Sequence, residues 1–164
     1  MKTHAPTVHD GPLTDAFSLA QDKNEPIFSP TQVFTDDRGW SLMNQFKNVL
    51  SQQGQINYSV MYPGVIKAWH RHQKQTDFWL CLHGHLKVGI YDEQTDRAWL
   101  AVIGEKRPGV MVIPPPLWHG AATVGHEPAG LLYYVTHQYD PAAPDEDRRD
   151  YDSVPGFPWE TQHK

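Results

Sequence analysis

The apolar residues of this chain come in short runs that turn-forming residues interrupt, and this pattern limits the possible folds more than any other feature. Each run has four to eight residues, which is the length of a strand rather than of a helix. The 14 prolines and 12 glycines also favour short strands and frequent turns. We therefore predict an all-β sandwich or barrel, with strands over residues 56–62, 78–82, 86–91, 98–103, 110–113 and 131–136.

Helices should be few and short. Residues 41–51 carry apolar residues at helical spacing, although a strand followed by a loop fits them equally well. Residues 141–149 could form one or two helical turns. Residues 1–26 are polar and show no sustained period, which indicates a flexible N-terminal arm that could order against the barrel or against a second subunit. Residues 27–164 then form a single domain.

Charge and hydropathy exclude several classes of partner. A net charge of −5 argues against nucleic acid, which binds surfaces rich in Lys and Arg. No apolar stretch approaches the roughly 20 residues of a membrane helix, and the first residues lack the apolar run of a secretory signal. Cys81 is the single cysteine, so no internal disulfide can form. We expect a soluble, cytoplasmic protein with a small-molecule partner.

The most informative block, GVIKAWHRHQKQTDFWLCLHG, begins at Gly64. Residues two apart in a strand point to the same side, so His70 and His72 present both imidazoles to one face of the sheet. Asp77 follows on the returning strand, and His119 comes after the Pro-rich turn IPPPLW. Three imidazoles and one carboxylate suit a divalent transition metal such as Fe, Mn, Ni or Zn.

Two motifs in this region resemble those of the cupins. The block around His70 resembles the first cupin motif, G(x)5HxH(x)3-4E(x)6G, with Asp77 in the place of Glu. The segment PPPLWH resembles the second motif, PxGxxH, with Pro116 in the place of Gly. The resemblance implies a jelly-roll antiparallel β-barrel with few short helices, and a metal site formed by His70, His72, Asp77 and His119.

A narrower resemblance covers residues 34–159. The matching pieces are FTDDRGW, QINYS, GVIKAWHRHQ, VIPPPLWHG, and YDPAAPDEDRRDYD followed by PW, in this order. Together they resemble the dTDP-4-dehydrorhamnose 3,5-epimerase family of the RmlC-like cupin superfamily. The resemblance implies an epimerase or isomerase that acts on a nucleoside-diphosphate-linked 4-keto-deoxy sugar.

The same resemblance implies roles for individual residues. His70 would remove a proton beside the ketone, Asp152 would orient His70, and Tyr139 would act as the opposing proton donor. Arg38 would meet the pyrophosphate, where guanidinium contacts are strong. The implied substrate contacts are Arg38, Lys67, Gln55, Asn57 and Arg71.

Several positions depart from that family. Lys67 stands where the family has Arg, Asp77 stands where it has a basic residue, and His72 is an additional imidazole. An imidazole nitrogen that donates its lone pair to a metal cannot use that pair to take a proton. His70 is therefore either a ligand or a base through one nitrogen, and no metal is expected if it is the base. A bound metal could polarise the ketone as a Lewis acid, with Asp152 holding the other ring nitrogen of His70.

Two weaker signals concern the interior. Tyr133 and Tyr134 are neighbours on one strand, so only one of them can face inward. The charges of residues 145–150 alternate, which indicates a solvated segment or a cover over the mouth of the pocket.

Three functions stay open. The first is the sugar-nucleotide epimerase or isomerase, with or without metal assistance. The second is a metal-dependent cupin enzyme of another class, such as a dioxygenase or lyase acting on a small acid. The third is a non-catalytic cupin that binds a small molecule. Cupins of this kind commonly pair through their sheets, so the resemblance also implies a homodimer.

Overall fold

Strands dominate residues 1–161, the part of the chain that the computed structural model describes. The last three residues of the predicted domain, 162–164, lie outside that part. The elements in chain order are β1 (Thr3–His4), β2 (Thr7–Val8), α1 (Leu13–Lys23), β3 (Ile27–Pro30), β4 (Val33–Asp36), β5 (Gly39–Leu42), β6 (Gln55–Met61), β7 (Ile66–Arg71), β8 (Asp77–His83), β9 (His85–Asp92), β10 (Arg97–Gly104), β11 (Gly109–Ile113), β12 (Trp118–Val124), β13 (Ala129–Val135) and β14 (Asp147–Arg148).

These strands form two six-stranded sheets and a hairpin. The first sheet has the order β1-β10-β9-β12-β7-β14, the second has the order β2-β3-β11-β8-β13-β6, and β4 pairs with β5. Strands β1 and β2 pair in parallel with β10 and β3, whereas the remaining pairs, such as β9 with β10, are antiparallel. The all-β prediction is confirmed, and the six predicted strands are β6, β8, β9, β10, β11 and β13.

The two sheets pack face to face around an apolar core. Leu86, Val88 and Ile90 of β9 share one buried cluster with Trp79 of β8 and Met111 of β11. Full burial of an aliphatic side chain of this size stabilises the fold by about 1.5–3 kcal/mol. Inward-facing residues of β6, β7, β8, β12 and β13 continue beyond this core and line a cavity.

The N-terminal segment follows the alternative in which it orders against the body of the same chain. It contributes β1, β2 and the helix α1, whose residues Ala16 and Ala20 are fully buried. The Phe17 ring meets the Phe78 ring edge-on at 5.1 Å between centroids, and the helix ends at Asn24 in a left-handed conformation. Leu13, Ala16, Phe17 and Ala20 form an apolar stripe at helical spacing. The stripe is short and two of its four residues are alanine, so the helix was not predicted. Within residues 1–161, no helix has the length and the apolar character that crossing a membrane requires.

Neither of the two segments that were expected to be helical forms a helix. Residues 41–51 follow the strand-and-loop alternative, because Asn44, Phe46 and Asn48 have positive φ angles that a right-handed helix excludes. The prediction of helical turns at residues 141–149 is wrong, since this segment contains β14, which pairs with β7 as a strand. Beside that pair, Trp69 and Arg149 exchange two backbone hydrogen bonds of 2.9 and 3.0 Å.

Candidate active site

A cavity of about 560 Å³ lies between the two sheets. Its volume falls within the roughly 300–1,000 Å³ of small-molecule sites. One part of its wall is apolar, formed by residues such as Met61, Ile66 and Leu131. The polar part comprises Ser59, Lys67, His70, Asp77, Tyr133, Glu146, Arg148 and Arg149. An apolar wall with a few convergent polar groups is the usual composition of a ligand site.

The four predicted metal ligands meet at one end of this cavity. His70 on β7 lies directly opposite His119 on the paired strand β12. Asp77 is the first residue of β8, and His72 follows the last residue of β7. One ligand atom from each of the four residues lies within 4.8 Å of every other. Two paired strands and the start of a third in the opposite sheet therefore bring together groups that are far apart in the sequence.

Burial and contact between neighbours set the protonation of Asp77 and His70. Asp77 and His119 are each 2% exposed. Burial raises the pKa of Asp77, but its interactions with the neighbouring imidazoles, above all with His119, outweigh burial, so the pKa of Asp77 lies below its ordinary value. Burial, followed by the charge of His119, lowers the pKa of His70 well below its ordinary value. At neutral pH, Asp77 is thus a carboxylate and His70 a neutral imidazole.

Backbone carbonyls orient two of the imidazoles. Nδ1 of His119 lies 2.9 Å from the carbonyl oxygen of Leu117, and Nδ1 of His72 contacts the carbonyl oxygen of Asp145. A carbonyl oxygen can only accept, so each Nδ1 carries the proton of that hydrogen bond. In the neutral rings the lone pair is then on Nε2, the atom that lies 3.5 Å (His119) and 3.8 Å (His72) from the carboxylate oxygens of Asp77.

This arrangement fits a bound cation. Nε2 of His119 is buried and has no hydrogen-bond partner among the described residues. A lone pair and a carboxylate at this distance repel each other unless a proton or a cation lies between them. The Asp77 carboxylate is itself fixed by two donors, Trp79 Nε1 at 3.0 Å and Gln75 Nε2 at 2.8 Å. Three imidazoles and one such supported carboxylate match the donors that Zn, Fe, Ni and Mn prefer.

Of the expected substrate contacts, Lys67 lines the cavity. Its Nζ donates to Ser59 Oγ at 3.1 Å. Gln55 and Asn57 precede the part of β6 that lines the cavity, and Oε1 of Gln55 accepts a hydrogen bond from the backbone of Tyr139 at 3.2 Å. Both residues share the inward face of β6 with Ser59 and Met61, and Asn57 pairs with Tyr133, but neither side chain forms part of the cavity wall.

Arg71 and Arg38 also lie outside the cavity wall. Arg71 follows His70 on β7 and therefore faces the opposite side of the sheet, where its Nε binds Asp147 at 2.9 Å. Arg38 is at the exposed turn of the β4–β5 hairpin, and its Nε binds Asp36 at 3.2 Å. Neither guanidinium reaches the cavity in this chain.

The structure places Tyr133, not Tyr139, in the cavity. Tyr139 lies beyond the end of β13 and is 62% exposed. Tyr133 lines the cavity, and burial followed by the negative charge of Asp77 raises its pKa. The neighbouring Tyr134 points to the other side, where its ring packs 5.5 Å from that of Phe78. Strand alternation required one inward tyrosine, and the position of Tyr133 opposite Trp79 identifies which one.

Asp152 is not brought to His70 either. It is exposed and borders a surface depression formed by residues 151–160. Residues 145–149, which we call the strap, contribute to the cavity wall instead, through Glu146, Arg148 and Arg149. Of the two interpretations of this charged run, the cover over the pocket agrees with the structure. The strap reaches the cavity wall because it pairs with β7. No local pattern in the sequence indicates this pairing.

Comparison with known proteins identifies the family of this chain. Residues 34–146 match the family model described as the polysaccharide biosynthesis C-terminal domain. The chain is 37% identical over 138 residues to the spore coat polysaccharide biosynthesis protein SpsL of Bacillus subtilis, covering 79% of this chain and 91% of SpsL. It is 45% identical over 101 residues to the probable low-salt glycan biosynthesis epimerase Agl13 of Haloferax volcanii, covering 58% of this chain and 65% of Agl13.

Solved structures extend the likeness to the fold. A dTDP sugar isomerase from Desulfovibrio desulfuricans G20 superposes with a TM-score of 0.72 at 24% identity, covering 82% of this chain and 90% of that one. A dTDP-4-dehydrorhamnose 3,5-epimerase from Sulfolobus tokodaii gives 0.64 at 22% identity, covering 79% and 78%. The predicted RmlC-like cupin fold is confirmed. With the family model and SpsL, these findings establish that the chain belongs to the polysaccharide biosynthesis C-terminal domain family.

Proposed function

We propose that this protein is a sugar epimerase or isomerase of polysaccharide or glycan biosynthesis, acting on a nucleotide-linked 4-keto sugar. The relatives named for polysaccharide and glycan biosynthesis support the pathway class. The cavity supports a substrate of sugar size, with cationic Lys67 and Arg148 on its wall to attract phosphate groups. A fold of this kind hosts several chemistries, so the reaction has to be argued from the site.

The proposal includes a divalent transition metal held by His70, His72, Asp77 and His119. The observation that carries it is the pair of Nε2 lone pairs that His72 and His119 direct at one buried carboxylate. When bound, such an ion would supply Lewis-acid polarisation of a ketone oxygen. The protein's own contribution is to hold the ligands in a fixed tautomer and to keep Asp77 ionised.

Proton transfer beside the ketone needs a donor and an acceptor in the same cavity. A carbonyl group acidifies the neighbouring C–H, so loss of that proton leaves an enolate, and return of a proton to the other face inverts the centre. Tyr133 is the proposed donor in place of Tyr139, because it lines the cavity and its raised pKa keeps the phenol protonated. Neutral His70 is the acceptor if no metal occupies its nitrogen. With the metal bound, the remaining carboxylate on the cavity wall, Glu146, would accept the proton.

Metal content decides the role of His70. We expect protein purified without added metal to contain about one equivalent, and His72→Ala to lose it. Stoichiometric metal assigns His70 to the ligand set. Active protein without metal, in both the wild type and His72→Ala, would assign His70 to the base role and remove the metal from the proposal.

Solvent deuterium tests the reaction class. Incubated in D2O with a dTDP-4-keto-6-deoxy sugar, the protein should introduce deuterium next to the ketone, as followed by mass spectrometry. Tyr133→Phe should slow this exchange about 100-fold or more, while Tyr139→Phe, altered at an exposed position, serves as the matched control. Oxygen uptake that depends on iron, without deuterium exchange, would replace the epimerase by a metal-dependent oxygenase.

The proposal also extends to a homodimer. Strand β6 ends the second sheet, and its outward residues Ile56, Tyr58 and Val60 are about half exposed. An apolar strand at a sheet edge is commonly covered by another chain, and here we assign a second copy. Light scattering should give twice the chain mass, and Tyr58→Glu should give the monomer. A monomeric wild type at micromolar concentration would exclude this part.

A further inference from the structure

We propose that Asp145 is a positioning residue that holds His72 and the loop between His72 and Asp77 in the geometry needed to bind the metal. The inference rests on the proposed metal site and adds to it a residue outside the ligand set. Asp145 belongs to the strap, so the same residue connects the metal site to the wall of the cavity.

The carboxylate of Asp145 binds three consecutive backbone N–H groups. Its Oδ1 accepts from Gln73 at 2.9 Å, and its Oδ2 accepts from Lys74 at 3.0 Å and from Gln75 at 3.1 Å. These three residues form the whole connection between His72 and Thr76. A carboxylate that accepts several backbone N–H groups fixes the conformation of the loop that supplies them.

The loop held in this way supports a second ligand. The side chain of Gln75 extends from it and donates through Nε2 to Oδ1 of Asp77 at 2.8 Å. A shift of the loop would therefore change the orientation of the Asp77 carboxylate as well as the position of His72.

The backbone of Asp145 acts directly on His72. Its carbonyl oxygen accepts the hydrogen bond from Nδ1, so the Nε2 lone pair is left for the metal. The carboxylate of Asp145 thus holds the loop, and its carbonyl oxygen orients the ligand His72. Supporting contacts of this kind typically change metal affinity about 10- to 100-fold when they are removed.

Asp147 offers a matched control on the same strap. Its Oδ2 accepts from Arg71 Nε at 2.9 Å and from Gln73 Nε2 at 3.3 Å, which are both side-chain contacts. The 53% exposure of its side chain distinguishes it from the half-buried Asp145. Loss of this carboxylate should leave the loop backbone and the His72 tautomer unchanged.

The first measurement is Zn²⁺ affinity of the purified protein, by competition with a chromophoric chelator. We expect Asp145→Asn to weaken Zn²⁺ binding about 10- to 100-fold and Asp147→Asn to change it less than about twofold. Asn keeps the shape of Asp, but its NH2 group would face at least one of the loop N–H groups. Asp145→Ala should have at least as large an effect, and Asp145→Asn remains informative if the alanine variant does not fold.

The second measurement reports the His72 tautomer in the absence of metal. Long-range ¹H–¹⁵N spectra of zinc-free protein should show His72 protonated at Nδ1 in the wild type and in Asp147→Asn, and a loss of this preference in Asp145→Asn. Unchanged affinity together with an unchanged tautomer in Asp145→Asn would overturn the proposal. If the wild type binds no Zn²⁺, the proposed metal site fails, and the tautomer spectra alone decide the role of Asp145.

Discussion

The two sides of the cavity are held together in different ways. The metal-ligand end is formed by buried residues of paired strands, as in the direct opposition of His70 and His119. The strap lies at the protein surface and is held by ion pairs, such as Asp147 with Arg71 at 2.9 Å, in addition to the short β14 pairing. One side is therefore positioned by the core, and the other by contacts that solvent and pH can weaken.

Removal of the buried Asp77 carboxylate should have the largest effect, because it acts on the side of the cavity that the core positions. Asp77→Ala deletes a ligand and leaves Trp79 Nε1 and Gln75 Nε2 without their acceptor. We expect Zn²⁺ affinity to fall by more than the roughly 100-fold of a supporting residue, and the free energy of unfolding to drop by about 1–3 kcal/mol for each buried unpaired donor. Affinity comes from chelator competition and stability from urea unfolding. Retained stoichiometric metal in this variant would contradict the ligand assignment.

Two tryptophans, one on the inner face of the sheets and one on the outer face, allow the two faces to be compared. Trp79→Phe removes the donor to Asp77 but keeps an aromatic ring beside His70, so we expect Zn²⁺ affinity to weaken about tenfold. Trp118→Phe is the control, because Trp118 Nε1 binds Glu93 on the outer side. Equal loss of affinity in both variants would show that general destabilisation, and not support of Asp77, is responsible.

The smallest expected effect concerns the ion pairs behind the strap. Glu93 accepts from Trp118 Nε1 at 3.0 Å and from Arg71 at 2.9 Å, and the hydrogen bond with Trp118, followed by the charge of Arg149, lowers its pKa. Glu93→Gln should cost at most about 1 kcal/mol near pH 7.

The pH dependence of that cost follows from the lowered pKa of Glu93. A carboxyl group with a lowered folded-state pKa stabilises the protein above its unfolded value, about 4.5, and this contribution is lost as the pH falls through the folded value. The stability difference between wild type and Glu93→Gln should therefore shrink as the pH falls below about 4.5. A difference that persists or grows there would show that packing, not charge, holds this region.

Local sequence signals predicted the strands, but the signal of the helix was not recognised. Short apolar runs bounded by turn residues predicted six strands, because run length and turn residues are local signals. The helix α1 carried a local signal too, in the spacing of Leu13, Ala16, Phe17 and Ala20, and a systematic search for helical periods would have found it. Parity along β7 likewise places Arg71 on the face opposite His70, so its outward position was predictable.

By contrast, no local pattern distinguishes Tyr133 from Tyr139 or gives the strap its place. Both depend on which strands become neighbours, since β13 beside β8 brings Tyr133 to the cavity and β14 beside β7 brings Asp145 to His72. Contacts across 60 or more positions of the chain, such as Thr76 N with Thr136 Oγ1, arise from sheet topology and not from residue type.

The class of fold and three of the four clustered groups follow from the sequence, because strand length, turn residues and the spacing of His70, His72 and Asp77 are properties of a local chain segment, while His119 follows from its resemblance to the second cupin motif. Which other residues face that cluster follows from the packing of the strands. Long-range strand pairing selected Tyr133, Trp79 and the strap, and left Arg38, Tyr139 and Asp152 at the surface. The physical reason is that side-chain direction is set within a strand, whereas proximity is set by the packing of distant strands.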